Sequence, residues 1–592
     1  MSNILKKPII FVLLVFIILT AVFTFPLILH TSSYIPGFSS SDEPYGALWY
    51  FWWMNHAHTN HFNLSRIHVI AAPFGQFNEL GYVYWNFLNK VLIFTKGPIF
   101  AYNIQILFSF ILSGFITYIL AFYVLKNKLA ALFSALAFTF CPYHFVRSWQ
   151  HLGLSQVQWM PLYMLSILKL RENKSLRNTL IAALSFALVA AFDLYYAYFM
   201  FIVTVVFIIY DYLYARVAKD SFALFKFFIG AGIFIAIIEL PDIYYIAKGI
   251  SRLSKIEAGF GPYGIIRPFG DLFAQSAKPL SYLLPSVTHP LFGLVTEQFI
   301  GTQAYGDSLT EHTLYLGWVP LTLAIVAIKN YKKNIYLTGK GFYFGFFILL
   351  GLSSWLFSQP PWWNIFGFKL YMPSFFMYKI APMFRAYCCF GIVVMLAVAV
   401  LAGFGLKLLL LKYKSRYTKI ALTCLFSGLV LFEFWNWPPY KVIDVSVFPE
   451  AYTWLKSQPG DFTIAEYPLD TNGMNEMYKF YQTKHGKRII NGTIPGTYAN
   501  KVAKGLSKLT APVTVGTLKW MGVKYVFVHR GDYLNSELTE DSQELSKIPA
   551  NPGLKFVKSF PAQDCPDSKI MCVRKSGQID AYEVIAPAIK PE

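Results

Sequence analysis

The chain has 592 residues and 67.6 kDa, of which 56% are apolar, 18% aromatic and only 14% charged, with a mean hydropathy of +0.45. A soluble globular protein carries roughly 25% charged residues, so a soluble enzyme, a disordered chain and a repeat array are excluded; this is the composition of a membrane protein. The formal charge of +20, from 51 Lys and Arg against 31 Asp and Glu, does not point to nucleic acid, which needs basic residues gathered on a water-facing surface; here they fall in short runs between apolar stretches, as membrane topology dictates.

In chain order, the first apolar stretch, 9–29, follows Lys6 and Lys7 and is long enough to cross a hydrocarbon core that takes about 20 residues. No small-residue cleavage site follows it and further spans do, so a retained anchor with a cytoplasmic N-terminus is expected. Further spans are predicted near 101–125, 129–146, 152–170, 180–192, 197–214, 222–246, 313–328, 341–357, 386–411 and 420–437. That makes an α-helical polytopic membrane protein with about eleven transmembrane helices, N-terminus in and C-terminus out.

The connections test this reading independently. Every second one is short and basic (126–128, 169–177, 214–220, 329–333, 412–419), and the alternate ones are longer and richer in Pro, Gly, Trp and Tyr. Lys and Arg are retained on the cytoplasmic side, so the predicted organisation is a transmembrane domain, 1–437, with long outer loops 30–98, 247–312 and 359–384.

Past Pro438 and Pro439 the charge density becomes ordinary and no segment is long enough to span. β-Branched and aromatic runs predict strands at 463–467, 488–491 and 524–529, with helices at 452–457, 499–506 and 513–521. The tail, 438–592, is expected to be an extracytoplasmic α/β or α+β domain. Its two cysteines, Cys565 and Cys572, are either a disulfide in an oxidising compartment or two free thiols. Cys141, Cys388, Cys389 and Cys424 lie in or beside spans and read as core residues.

Candidate chemistry gathers in the outer segments. The first loop carries Ser39-Ser40-Ser41-Asp42-Glu43-Pro44-Tyr45, then Trp49-Tyr50-Phe51-Trp52-Trp53, then His56, His58 and His61. Acidic residues before a Pro signal a helix start, and Trp and Tyr favour the headgroup level, so an interfacial helix is predicted. Asp42 and Glu43 are then either partly desolvated carboxylates able to act as general base or metal ligand, or a capping pair for that helix. His144, Arg147 and His151 cluster at the outer end of the third and fourth spans. They either hold a phosphate by charge-assisted hydrogen bonds or snorkel to headgroups. Arg385, preceded by Lys379 and Pro382, and Arg267 present the same choice. Asp193, between two spans with almost no loop, is either functional or a helix cap; Glu239, Asp242 and Glu311 have similar standing.

An acidic pair just beyond the first span, in a long outer loop ahead of many further spans, resembles the GT-C superfamily of integral membrane glycosyltransferases. The stretches 151–162 (HLGLSQVQWMPL), 311–317 (EHTLYLG), 382–385 (PMFR) and 481–492 (YQTKHGKRIING) are similar to a less characterised prokaryotic branch of it. The resemblance implies an essential acid in the first loop, here Asp42 with Glu43. It also implies a polyprenyl-phosphate-linked sugar donor, a glycan, lipid or protein acceptor, and a phosphate-binding role for Arg385. Where that branch repeats an Arg shortly after Pro-x-x-Arg, this chain has Tyr387-Cys388-Cys389-Phe390. Metal dependence is left open, with Asp42 and Glu43 as the ligands to test. No glycine-rich phosphate loop is present, and no nucleic-acid partner is expected. The competing readings are a lipid or sugar transporter or flippase, for which no two-half symmetry is seen, and a non-catalytic protein of envelope assembly.

Overall fold

The computed structural model describes residues 3–37, 43–62, 66–77, 87–215, 230, 267–331, 341–436, 442–469, 474–494, 497–534, 539–562, 571–572 and 577–590. They form two compact units. One is built on Met1–Leu29, Ile104–Pro241 and Ile266–Tyr440, the other on His30–Asn103 and Lys441–Glu592.

The first unit is helical. Among the described residues, four helical segments, Pro98–Leu125, Lys128–Gln150, Leu194–Tyr214 and Tyr387–Leu411, are long and apolar enough to cross a membrane, which makes the chain a multi-pass membrane protein. Shorter apolar helices run over Ile9–Phe23, Leu176–Phe192, Trp318–Asn330 and Gly341–Phe357. Gly391–Leu411 is the central helix, buried along nearly its whole length. Close approach to it depends on glycine: a Cβ on Gly405 would sit 1.9 Å from the carbonyl oxygen of Leu323 in helix Trp318–Asn330, and one on Gly403 would sit 2.2 Å from Ser134 Oγ. Small residues let helix backbones pack where lipid supplies no hydrophobic driving force.

Two predicted spans are broken by local chemistry. In 129–146 the chain leaves the helix at Phe140 and Cys141 and restarts at Pro142, as helix Pro142–Gln150. A proline has no amide hydrogen and fixes φ, so it suits a first helical position and not an interior one. In 152–170 the first residues form turns, and the helix is Trp159–Glu172. Of the predicted span 222–246 only Gly230 is among the described residues, and Glu239 and Asp242 lie outside them.

The second unit contains a five-stranded mixed sheet in the order Leu554–Phe560, Ile579–Val584, Val523–His529, Thr463–Tyr467, Arg488–Ile489. The last three strands are parallel, and the first two run antiparallel to their neighbours. Its core includes Ala465, Tyr467, Leu518, Val526 and Val528.

The first-loop segment is part of this unit. Strand Tyr34–Pro36 pairs antiparallel with Val442–Asp444, and the amides of Ala71 and Ala72 donate to the carbonyls of Asn491 and Ile489, both at 3.0 Å. Helix Glu43–Thr59 packs on helix Met474–His485. Trp49 Nε1 donates to Gln482 Oε1 at 2.8 Å, and Gln482 Nε2 donates to the Val69 carbonyl at 2.7 Å. Lys479 lies over the Trp49 ring and pairs with Glu476 at 2.6 Å. The aromatic run expected at headgroup level is thus largely internal: Tyr45, Trp49, Phe51 and Trp53 are fully buried.

Candidate functional site

Helix Pro142–Gln150 brings His144, Arg147 and, just past its end, His151 onto neighbouring turns at the i, i+3 and i+4 spacing. Their surroundings differ sharply. His144 is fully buried and stacks on Phe110. Its Nδ1 lies 2.8 Å from the Thr139 carbonyl, and its Nε2 lies 3.0 Å from both the Ser155 carbonyl and Ser109 Oγ. It joins three elements of the fold.

Arg147 is also buried. Its guanidinium donates to both carboxylate oxygens of Glu311, Nη2 to Oε2 at 2.7 Å and Nη1 to Oε1 at 3.3 Å, and to Cys389 Sγ at 3.2 Å. The Cys388 thiol donates to the same carboxylate at 2.6 Å. Glu311 stands on the short helix Leu309–His312, which the Ser308 hydroxyl caps, and Thr310 on that turn donates to Gln150. Burial alone would raise the Glu311 pKa. The charge and hydrogen bonds of Arg147 outweigh it, with help from Cys388 and His151, and hold the carboxyl at about 2. His151 itself is half-buried.

A second basic set surrounds Arg385. Its Nη1 pairs with Asp271 Oδ2 at 2.5 Å, its backbone amide donates to the Tyr195 hydroxyl at 3.4 Å, and its side chain is one-third exposed. The Arg267 amide donates to the Pro382 carbonyl at 3.0 Å, and the Tyr378 hydroxyl donates to the Arg267 carbonyl, which fastens 267 to the 382–385 turn. Burial lowers the Arg267 pKa, and repulsion from Arg385 lowers it further. Two guanidinium groups thus share the field of one carboxylate, and the excess positive charge suits a phosphate. Phe384, stacked on Tyr198 and edge-on to Tyr195, fixes the turn from behind.

Asp193 is a cap. Its Oδ1 accepts the Tyr196 amide at 3.0 Å at the start of helix Leu194–Ala215, the local role that the sequence leaves open. Its carboxylate also lies against Gly153, where a Cβ would come within 2.9 Å of Oδ2. Glu43 stands exposed in the first turn of helix Glu43–Thr59, in the second unit. Asp42, Cys565 and the Cys572 side chain lie outside the described residues.

The structure therefore brings together Arg147, Glu311 and His151 in one set, and Arg267 with Arg385 in another. Sequence reasoning missed Asp271, although it lies four residues past Arg267. It also missed the polar role of Cys388 and Cys389, read there as core.

No family model and no curated protein matches the sequence. Among solved structures, the chain is similar to arabinofuranosyltransferase AftD from Mycobacteria, with a TM-score of 0.51 and 14% identity, covering 98% of this chain and 40% of that one. It is also similar to the archaeal oligosaccharyltransferase AglB from Archaeoglobus fulgidus, solved with an inhibitory peptide and a dolichol-phosphate. There the TM-score is 0.53 and the identity 12%, over 94% of this chain and 73% of that one. The chain thus spans well under half of the length of the first of these and about three quarters of the second. At such identities the likeness is one of fold alone: this chain shares the fold of those two proteins.

Proposed function

We propose that this chain is a membrane glycosyltransferase that moves a sugar from a polyprenyl-phosphate-linked donor to an extracytoplasmic acceptor, which is a glycan, a lipid or a protein. The observation that carries the reading is the pair Arg267 and Arg385, two guanidinium groups balanced by Asp271 alone among their described partners, in a chain with the GT-C fold. That AglB was solved with a dolichol-phosphate supports a lipid-linked donor. The topology that goes with it is the predicted one: about eleven spans, the N-terminus cytoplasmic and the tail outside.

In the reaction, the acceptor hydroxyl attacks the anomeric carbon, the bond from that carbon to the phosphate oxygen breaks, and the polyprenyl phosphate departs with the electron pair. Negative charge grows on the phosphate, so cations aimed there stabilise the transition state. That role goes to Arg267 and Arg385. The hydroxyl proton goes to Asp42, with Glu43 beside it in sequence; these two are also the residues that would hold a divalent ion if the reaction uses one. His144, Arg147, His151 and Glu311 are assigned to the supporting structure, because the first two are fully buried and bonded within the protein.

The test is transfer by the purified full chain from a panel of radiolabelled polyprenyl-phosphate sugars. Asp42→Asn should abolish transfer while leaving the protein folded, and Arg385→Gln should slow it by about 100-fold. Full activity in Asp42→Asn, or no transfer from any donor in the panel, would overturn the reading.

A further inference from the structure

The cluster around Arg147 has a chemistry that the transfer reaction does not use. Cys388 Sγ, Cys389 Sγ and a carboxylate oxygen of Glu311 all lie within 4.8 Å of one another. We propose that Glu311, Cys388 and Cys389 bind a soft divalent metal ion of the zinc class, with Arg147 as the neighbour that balances its charge.

The donor set selects the metal. Thiolates favour zinc-class ions, whereas magnesium and calcium take oxygen ligands. A tetrahedral zinc site with Zn–S near 2.3 Å and Zn–O near 2.0–2.2 Å keeps its ligand atoms roughly 3.5 Å apart. The three side chains therefore close on an ion with shifts of about an ångström. The contact that gives way is the 2.6 Å hydrogen bond from the Cys388 thiol to Glu311, whose proton leaves when the thiol becomes a ligand.

A guanidinium beside a cation site looks unfavourable until the charges are followed through. Counted from a metal-free cluster with both thiols protonated, Arg147 and Glu311 cancel. When the ion enters, two thiol protons pass to solvent, and two thiolates and one carboxylate then face one divalent ion and one guanidinium. The net charge is zero in both states, so loading adds no uncompensated charge to the interior, the situation that makes buried ions costly. Arg147 can go on donating to Cys389 Sγ and to Glu311, the kind of outer contact that orients metal ligands and tunes affinity. Both cysteines are fully buried, but the Glu311 side chain keeps 13% of its surface, so the ion enters from the Glu311 side. Three protein ligands leave a fourth position open.

The experiment is titration of the chelator-treated full-length protein in detergent with Co²⁺, followed by its thiolate-to-metal charge-transfer absorption. One equivalent should develop the band, release two protons and be displaced by Zn²⁺. Cys388→Ser/Cys389→Ser should lose the band, Cys424→Ser should keep it, and Glu311→Gln should weaken binding by about tenfold or more. X-ray absorption on the zinc-loaded parent checks the same point without any variant and should show two sulfur neighbours. No charge-transfer band in the folded parent, a band that survives the double Ser variant, or a zinc shell without sulfur would each overturn the site.

Discussion

Glu311→Gln removes the carboxylate that pairs with the Arg147 guanidinium, whose side chain is 1% exposed. Breaking a buried ion pair from one side costs about 3–5 kcal/mol, because the remaining charge is left without water or partner. The depressed Glu311 pKa leads to the same magnitude. A carboxyl held at about 2 against an ordinary 4.5 is favoured in its charged form by about 3 kcal/mol at 1.36 kcal/mol per unit. For a helical unit of this size that corresponds to a fall of roughly 4 °C in the melting temperature. The assay is differential scanning fluorimetry of detergent-solubilised protein in the presence of chelator, so that any bound metal does not contribute. Replacing both partners, Arg147→Met with Glu311→Leu, should restore most of the loss, since an apolar pair leaves no charge stranded. A single variant that melts within a degree of the parent, or a double variant less stable than the single one, would refute the reasoning.

Three further outcomes are expected. Gly405→Ala should destabilise the helical unit by about 1–3 kcal/mol, because its Cβ would lie 1.9 Å from a backbone carbonyl that cannot move aside; thermal melts read it, and an unchanged melt would contradict the packing described. Gln482→Ala should leave the Trp49 indole without its buried acceptor and take one donor each from the Val69 and Lys487 carbonyls, at about 1–3 kcal/mol, and should speed proteolysis within 30–103; an unaltered cleavage rate would count against the contact.

The tail should also respond to pH in two opposite ways. Burial disfavours the charged form of His529, but its bond to Glu466 at 2.7 Å and the nearby Asp532 raise its pKa above 6.5. This stability is present in full below pH 6.5 and is lost as pH rises through the folded value. Burial and Lys487 push His485 down to about 3, so its neutral form is the folded one and stability falls as pH drops from 6.5 toward 3. Hydrogen-exchange protection, the observed rate corrected for the intrinsic rate at each pH, should be greatest near pH 6.5 in strands Thr463–Tyr467 and Val523–His529 of the full chain. His529→Gln should flatten only the alkaline side, and a loss on the acid side would reverse the assignment.

Local patterns carried the reading where a segment's own residues decide its structure. Strand Thr463–Tyr467 and helix Gly341–Phe357 fall where predicted, the first a β-branched and aromatic run between Gly460 and Pro468, the second an uninterrupted apolar stretch. The turns within 152–158 fall inside the predicted span 152–170, because apolar density without periodicity does not tell a turn from a helix. The break at Pro142 was legible in principle. What could not be read were pairings over long separations. Arg147 and Glu311 each stand out in the sequence, yet they are 164 positions apart and nothing in either neighbourhood names the other. The run Trp49–Trp53 has the composition of a membrane interface and also of a protein interior. Only its contact with Gln482, 433 residues away from Trp49, decides between them.

The interleaving of 30–103 with the end of the chain has a consequence for biosynthesis. The indole-rich face of helix Glu43–Thr59 and the lone strand Tyr34–Pro36 leave the ribosome long before Val442–Asp444 and Met474–His485 exist to cover them. During that interval they are an unsatisfied surface that a chaperone or the headgroup region must shelter. A transcript cut short at any point before the tail would therefore yield not a smaller working protein but a sticky one.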